Sequence, residues 1–501
     1  MIYLPTGSQM SEADLYTIEK ENIPSRTLME RAASSCVDVL IEEELDLSST
    51  LIVCGVGNNG GDGLAIARLL SEQGLSVAVW LVGDTTRMSF EAKEQLSQLQ
   101  NTKVIIDSQY PKGFYSLIID AIFGVGLKRE IQGSYKECIS FLNQQKVTKV
   151  AVDIPSGISS ANGQVLGVAL QVDLTIAIQC QKLGMALYPG NEYCGRIITK
   201  KIGISTLPFE KEKKTVLCFH NDDYYNLLPE RPAHANKGTF GKVLVIGGSK
   251  GMAGAAYLNA FSAYKMGAGL VRFYTPETNR SILQTLLCEG IMTTYESFHE
   301  KECIELLSWA DVVLIGSGLG LSETAKEILF CVLENHEKKL VIDGDALTLI
   351  SQCSNWRERV KAKEIILTPH MKEMSRLLHC DVSTIQENRT EVLTSYVNKN
   401  QLCCVLKDER TLVGASNQNP VLNTSGNNAM AKAGSGDVLT GIIGGLLSHG
   451  LNAYESGVLG VYLHGLCGDI GREHKGEFGL MASDLAVYLK DAINYVKEVR
   501  K

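Results

Sequence analysis

Short runs of β-branched and aliphatic residues recur along the chain, separated by segments of helix length. Runs 51–55, 77–82, 117–120, 147–153 and 172–178 are almost continuously apolar, the pattern of strands buried on both faces. Segments 64–73 and 90–100 lie between them. This alternation predicts a doubly wound parallel sheet with right-handed crossovers over residues 1–205. Residues 206–214 carry Pro208 and the charged stretch 210–214, which predicts a solvated linker. A second α/β block is expected over 215–501. Its strand candidates are 243–247, 270–274, 312–316, 340–343, 364–368 and 403–407, and its helix candidates 255–266, 323–334 and 438–447.

Composition narrows the classes. The 501 residues carry 48 Lys and Arg against 56 Asp and Glu, a formal charge of −8, so no whole-molecule attraction for nucleic acid or anionic lipid is expected. The longest apolar stretches, such as 438–447, reach about half of the roughly 20 residues that a membrane span needs. The 14 cysteines are scattered without a CxxC pair, which suits a reducing cytoplasm better than a disulfide scaffold or a zinc site. No basic-then-apolar leader is evident at the N-terminus.

The first chemical signal is Gly55-Val56-Gly57-Asn58-Asn59-Gly60-Gly61-Asp62-Gly63, between a strand and a helix. Such a turn lets backbone N–H groups and a helix start approach an anion. It departs from the plain dinucleotide GxGxxG pattern through its Asn-Asn and Asp residues. Two further strand ends carry Asp120-Ala121-Ile122-Phe123-Gly124-Val125-Gly126-Leu127 and Val152-Asp153-Ile154-Pro155-Ser156-Gly157. In a doubly wound sheet these turns share one crevice. Asn59, Asp120 and Ser156 offer oxygen donors without thiol or imidazole, which suits a hard cation. Asp153 is a candidate acid–base group.

The second signal is Ala433-Gly434-Ser435-Gly436-Asp437, opening an apolar, glycine-rich helix. Its N–H groups can stabilise a developing phosphoryl charge, and Asp437 can take a proton from an attacking hydroxyl. Other strand-end segments fit a nucleotide site: 247–255, 316–320, 343–346, Thr368-Pro369-His370 and Lys407-Asp408-Glu409-Arg410-Thr411.

The N-terminal motifs, with Ile23-Pro24-Ser25 and Leu28–Ala33, resemble the NAD(P)H-hydrate epimerase domain, a Rossmann-like fold. That resemblance implies that Asn58, Asn59, Gly60, Gly61 and Asp62 contact the hydrated dinucleotide. It implies that Gly124, Val125, Gly126, Leu127, Lys128, Arg129 and Glu130 wrap it, with Asp153 at the reacting ring. Asn59, Asp120 and Ser156 would hold potassium. The C-terminal half, through 236–243, 315–320, 341–346, 367–374 and 434–440, resembles the ADP- or ATP-dependent NAD(P)H-hydrate dehydratase, a ribokinase-like fold. Here the resemblance implies that Ala255, Gly318 and His370 bind the hydrate. Lys407, Asp408, Glu409, Arg410, Thr411 and Gly436 would bind the adenine nucleotide with magnesium, and Asp437 would act on the ring hydroxyl. It also implies a homo-oligomer.

Three features depart from the dehydratase pattern. Asp408 and Glu409 stand in a loop where the family reads Lys-Gly-x-x-Thr, and carboxylates there would repel phosphate unless turned away. Ala433 replaces a glycine, and Gly426-Asn427-Asn428-Ala429-Met430 replaces Gly-Asn-Pro-Gly-Met. The alternative reading is a ribokinase-like vitamin or sugar kinase with an N-terminal regulatory domain. A non-catalytic scaffold in the N-terminal half is disfavoured because the acidic turn residues are present.

Overall fold

A computed structural model describes residues 1–499 of the chain. They form two compact units, Ile2–Val216 and a second from Leu217 onward.

In the N-terminal unit the strands are β1 (Thr50–Cys54), β2 (Val77–Leu81), β3 (Ile105–Asp107), β4 (Leu117–Ala121), β5 (Thr148–Val152), β6 (Leu174–Ile178) and β7 (Arg196–Lys200). They form one sheet in the order β3-β2-β1-β4-β5-β6-β7, and every pairing is parallel. The alternation of side chains along a strand explains the continuous apolar runs. Ile52 and Cys54 of β1 enter the core on one face, together with helices α1 (Gly7–Lys20), α2 (Ser25–Glu42) and α3 (Asn58–Glu72). Leu51 and Val53 enter the core on the other face, with α4 (Gly133–Gln144). The strand order reverses between β1 and β4, so a crevice opens at their carboxyl ends.

The C-terminal unit contains β8 (Lys242–Ile246), β9 (Leu270–Pro276), β10 (Ile291–Tyr295), β11 (Val312–Ile315), β12 (Lys339–Ile342), β13 (Glu364–Leu367), β14 (Cys403–Leu406), β15 (Leu412–Ala415) and β16 (Val421–Leu422). Their order is β16-β15-β14-β13-β12-β11-β8-β9-β10. From β14 to β10 all neighbours are parallel, whereas β15 runs antiparallel to both β14 and β16. Helices α5 (Ala253–Lys265), α6 (Met371–Leu378), α7 (Ser435–Ser448) and α8 (Ala453–Gly479) belong to this unit. No helix of the described residues is long and apolar enough to cross a membrane.

Two expectations need correction. Residues 206–214 are not a plain solvated linker: they include a helix, Leu207–Glu212, with Pro208 in its first turn. Its Phe209 is buried in the N-terminal core and packs on Tyr3 with ring centroids 5.6 Å apart. The charged stretch itself is exposed. The sequence pattern also missed β3, β7, β10, β15 and β16. The first three are fully exposed or only partly buried, and so lack the continuous apolar signature; β15 and β16 are buried but only four and two residues long, too short to stand out as runs.

Candidate functional sites

The reversal crevice of the N-terminal unit is a cavity of about 670 Å³. The turn after β1 supplies Asn58, Asn59 and Asp62, and the turn after β4 supplies Gly124–Arg129. Asp153 follows β5. Asp14, Met29 and Lys182 complete the polar and apolar walls. Gly60, Gly61 and Glu130, expected at the ligand, do not line the cavity. A Cβ on Gly60 would lie 1.9 Å from the Gly55 carbonyl oxygen, so glycine there allows α3 to start tight against the preceding turn.

Asp153 adopts φ +71°, a left-handed conformation that costs a non-glycine residue about 1–3 kcal/mol and is often found at functional sites. Its Oδ1 accepts from the Lys182 ammonium and from the Ile178 N–H at 3.2 Å. Lys182 is 1% exposed and also donates to the Ile178 carbonyl at 2.8 Å. The sequence reading missed Lys182 because it lies in an irregular segment without a motif. Its only signal was a lone lysine among apolar residues.

Asp120 and Ser156 lie beneath the cavity, fully buried. The Ser156 hydroxyl donates to Asp120 Oδ1 at 2.6 Å, and the Ser156 N–H to Oδ2 at 2.8 Å. Burial pushes the Asp120 carboxyl up to about 6, against the pull of these bonds. Among the described residues the buried Asn59 Nδ2 has no acceptor. An all-oxygen donor set of this kind, with one carboxylate, fits a monovalent cation.

In the C-terminal unit the ends of β11, β12 and β14, through Ser317, Asp343 and Lys407, meet the start of α7. Gly434 caps α7 at φ +91°, which only glycine adopts readily. The N–H groups of Gly436 and Asp437 lie in the first turn, where the helix offers no acceptor. Ala433 is not among the positive-φ residues, so alanine is tolerated there. Burial, then Asp343, pushes the Asp437 carboxyl up to about 6.

Asp343 at the end of β12 falls in segment 343–346, which the sequence assigns to the nucleotide site without giving this residue a role of its own. It is buried, and it accepts from Lys407 Nζ at 3.0 Å, Thr368 Oγ1 at 2.7 Å and Ser317 Oγ at 3.2 Å. Burial alone would raise its carboxyl, but Lys407 and these donors hold it below the usual range. Asn259 Nδ2 donates to both Ser317 Oγ and the Asp437 carbonyl, each at 3.0 Å, which ties the network to the α7 turn. Ala255 and Gly318 adjoin: a Cβ on Gly318 would lie 3.0 Å from that of Ala255.

His370 caps α6 and pairs with Lys407 in a parallel bridge. Its Nδ1 accepts the N–H groups of Lys372 at 3.1 Å and Glu373 at 3.3 Å. In the neutral ring the proton therefore sits on Nε2, which becomes a donor. Glu373 is buried beneath it, and burial raises its carboxyl to about 7.

Asp408 is turned to Arg389, with Oδ2 2.7 Å from Nη2. Its carboxyl is raised by burial against the pull of that guanidinium. Glu409 is exposed. Arg410 Nη1 donates to the Thr424 carbonyl at 2.6 Å, and Thr411 Oγ1 to the Asp408 carbonyl at 3.2 Å.

A doubly wound sheet with an acidic crevice, joined in one chain to a sheet whose strand ends meet a glycine-capped helix start, defines a two-unit α/β enzyme. Residues 25–184 match the family described as YjeF-related protein N-terminus, and residues 243–491 match NAD(P)H-hydrate dehydratase. The "Bifunctional NAD(P)H-hydrate repair enzyme Nnr" of Thermofilum pendens is 33% identical over 98% of this chain and 96% of its own length. Its Coxiella burnetii counterpart is 34% identical over 99% of this chain and 100% of its own. The crystal structure of the ADP/ATP-dependent NAD(P)H-hydrate dehydratase from Bacillus subtilis, co-crystallised with ATP/Mg2+, is 28% identical. It covers 56% of this chain and 99% of that one, with a TM-score of 0.50. The chain belongs to the family of bifunctional NAD(P)H-hydrate repair enzymes. The kinase alternative is set aside, because the matches run through both units.

The Glu373 carboxyl has a testable consequence. Its raised value means that its contribution to stability is complete below about 4.3, its unfolded value. That contribution is lost as pH rises through about 7. Urea unfolding of the C-terminal unit should show wild type falling relative to Glu373→Gln across this window. Parallel pH curves would contradict the assignment.

Proposed function

We propose that the two sites divide one repair sequence. The N-terminal cavity interconverts the R and S hydrates of NADH and NADPH, and the C-terminal site dehydrates the S hydrate with ADP or ATP. The observation that carries this reading is that each unit places a strand-end aspartate against a lysine that is buried or largely so, within the stretch of chain that its family match covers. Those pairs are Asp153 with Lys182 and Asp343 with Lys407.

In the epimerase site Asn58, Asn59, Asp62 and Gly124–Arg129, which line the cavity, hold the dinucleotide. Asp153, oriented by Lys182, exchanges a proton with the hydroxyl on the damaged ring. Potassium would be held by Asn59, Asp120 and Ser156. When bound, it supplies a fixed positive charge beside the substrate. The oxygen donors of these residues, with the single Asp120 carboxylate, support that role.

In the dehydratase site Ala255, Gly318 and His370 position the hydrate, with His370 Nε2–H as a donor. Lys407–Thr411 and Gly436 receive the nucleotide, which enters with magnesium. Asp437 takes the proton of the ring hydroxyl as its oxygen attacks the terminal phosphoryl group. The Gly436 and Asp437 N–H groups and Lys407 stabilise the transferred charge. Phosphate then leaves with the C–O electron pair while the adjacent ring carbon gives up a proton, restoring the double bond. A cytoplasmic setting and self-association into a homo-oligomer complete the proposal.

Two variants separate the halves. Asp153→Asn should abolish interconversion of the epimers and leave dehydration of the S hydrate intact. Asp437→Asn should do the reverse, with a loss of about 10²-fold or more in dehydration. Both activities lost in either variant would contradict the division.

The role of Arg389 is equally direct. Arg389→Ala leaves Asp408 unpaired beside the nucleotide loop, and the nucleotide KM should rise about tenfold, the equivalent of ~1.4 kcal/mol. Adding Asp408→Asn should restore it. An unchanged KM in Arg389→Ala would show that Asp408 does not face the nucleotide.

A further inference from the structure

The N-terminal cavity holds more carboxylate than its buried cation can balance. Asp14 on α1, Asp62 on α3 and Asp153 after β5 all line it, with Lys182. Lys182 is engaged by Asp153 and by the Ile178 carbonyl. Neither Asp14 nor Asp62 forms an ion pair among the described residues. Lys128 and Arg129 also line the cavity but are exposed at its mouth, where solvent screens them. The other titratable groups facing Asp62 are Cys36 on α2 and Cys54 on β1, both buried thiols pushed up by burial. Both are therefore neutral.

Two carboxylates around one ion pair cannot all be charged cheaply in a recess of low dielectric. Asp62 bears most of the strain. Burial, then the charges of Asp153 and Asp14, push its carboxyl well above the usual range, with Lys182 pulling the other way. Asp14 is raised as well, by burial and then by Asp153 and Glu91.

We propose that Asp62 is the second acid–base group of this site, a neutral carboxylic acid that shares the cavity with the Asp153–Lys182 pair. The assignment rests on the epimerase reading of the cavity. The substrate carbon carries both a hydroxyl and the ring nitrogen, so it inverts by ring opening. Asp153 accepts the hydroxyl proton, the C–O bond becomes a carbonyl, and the carbon–nitrogen bond breaks. Its electron pair goes to the ring nitrogen, which takes the proton of Asp62. Rotation about the adjacent carbon–carbon bond presents the other carbonyl face. Re-closure returns each proton to its origin, so atoms and charges balance without a co-reactant. Asp153 supplies the base and Asp62 the acid, a pairing that two carboxylates in different surroundings can sustain.

The test follows conversion of one purified hydrate epimer into the other by NMR, with full-length protein and without adenine nucleotide. Asp62→Asn should lower kcat about 10²-fold or more, with the hydrate KM changed less than about threefold. It should also remove the alkaline fall in rate that wild type shows as Asp62 ionises. Asp62→Glu should restore part of kcat and the alkaline fall, which a merely structural role would not. A rise in KM with kcat and pH profile unchanged would overturn the assignment. So would loss of the alkaline limb in Asp14→Asn instead. Wild-type behaviour of Asp62→Asn beside an inactive Asp153→Asn would remove Asp62 alone. A wild-type protein that fails to interconvert the epimers would remove the epimerase reading and this assignment together.

Discussion

A lysine held out of water against a strand-end aspartate is the interaction on which both sites depend. Lys182 is 1% exposed and Asp153 13%, while Lys407 is 19% exposed and Asp343 4%. Removing one partner of such a pair leaves an uncompensated charge, at about 3–5 kcal/mol. Each pair is therefore tied down by further bonds. Lys182 also holds the Ile178 carbonyl, and Asp343 collects Thr368 and Ser317. The parallel sheet makes this possible, because it brings strand ends that are distant in sequence to one edge. Of the proposed reacting groups, Asp153 is held by Lys182 and the Ile178 N–H, and the turn that carries Asp437 is tied down by Asn259.

The sites differ in how they use burial. In the N-terminal cavity the carboxylates outnumber the cation, which favours a retained proton and suits proton exchange at one carbon. In the C-terminal site Asp343 stays ionised and holds Lys407 beside the α7 turn, where positive charge and free N–H groups meet a phosphoryl group. On the proposed reading, one unit moves protons and the other stabilises transferred negative charge.

Much of the fold was legible because buried parallel strands read as continuous apolar runs. β1, β4, β11 and β14 are buried along their whole length. Edge strands such as β3, exposed throughout, left no such trace. Site residues on glycine-rich turns, Asn58–Asp62 and Gly434–Asp437, were visible because few other functions need that composition. Lys182 left no trace, and Asp343 was visible only as part of segment 343–346, since their pairings are with residues 29 and 64 positions away. The departures at 408 and 433 could be judged only in three dimensions. Arg389, 19 positions before Asp408 in sequence, neutralises one, and an ordinary backbone conformation admits the other.

With both proposed steps in one chain, neither hydrate epimer is stranded. The most direct measurement follows the long-wavelength absorbance of reduced nicotinamide from a mixture of both epimers, with potassium, magnesium and either ADP or ATP. Complete recovery with one of the nucleotides is the predicted result, and it also names the phosphoryl donor. Recovery that stops when the S hydrate is consumed would contradict the epimerase half, and no recovery with either nucleotide would contradict the dehydratase half.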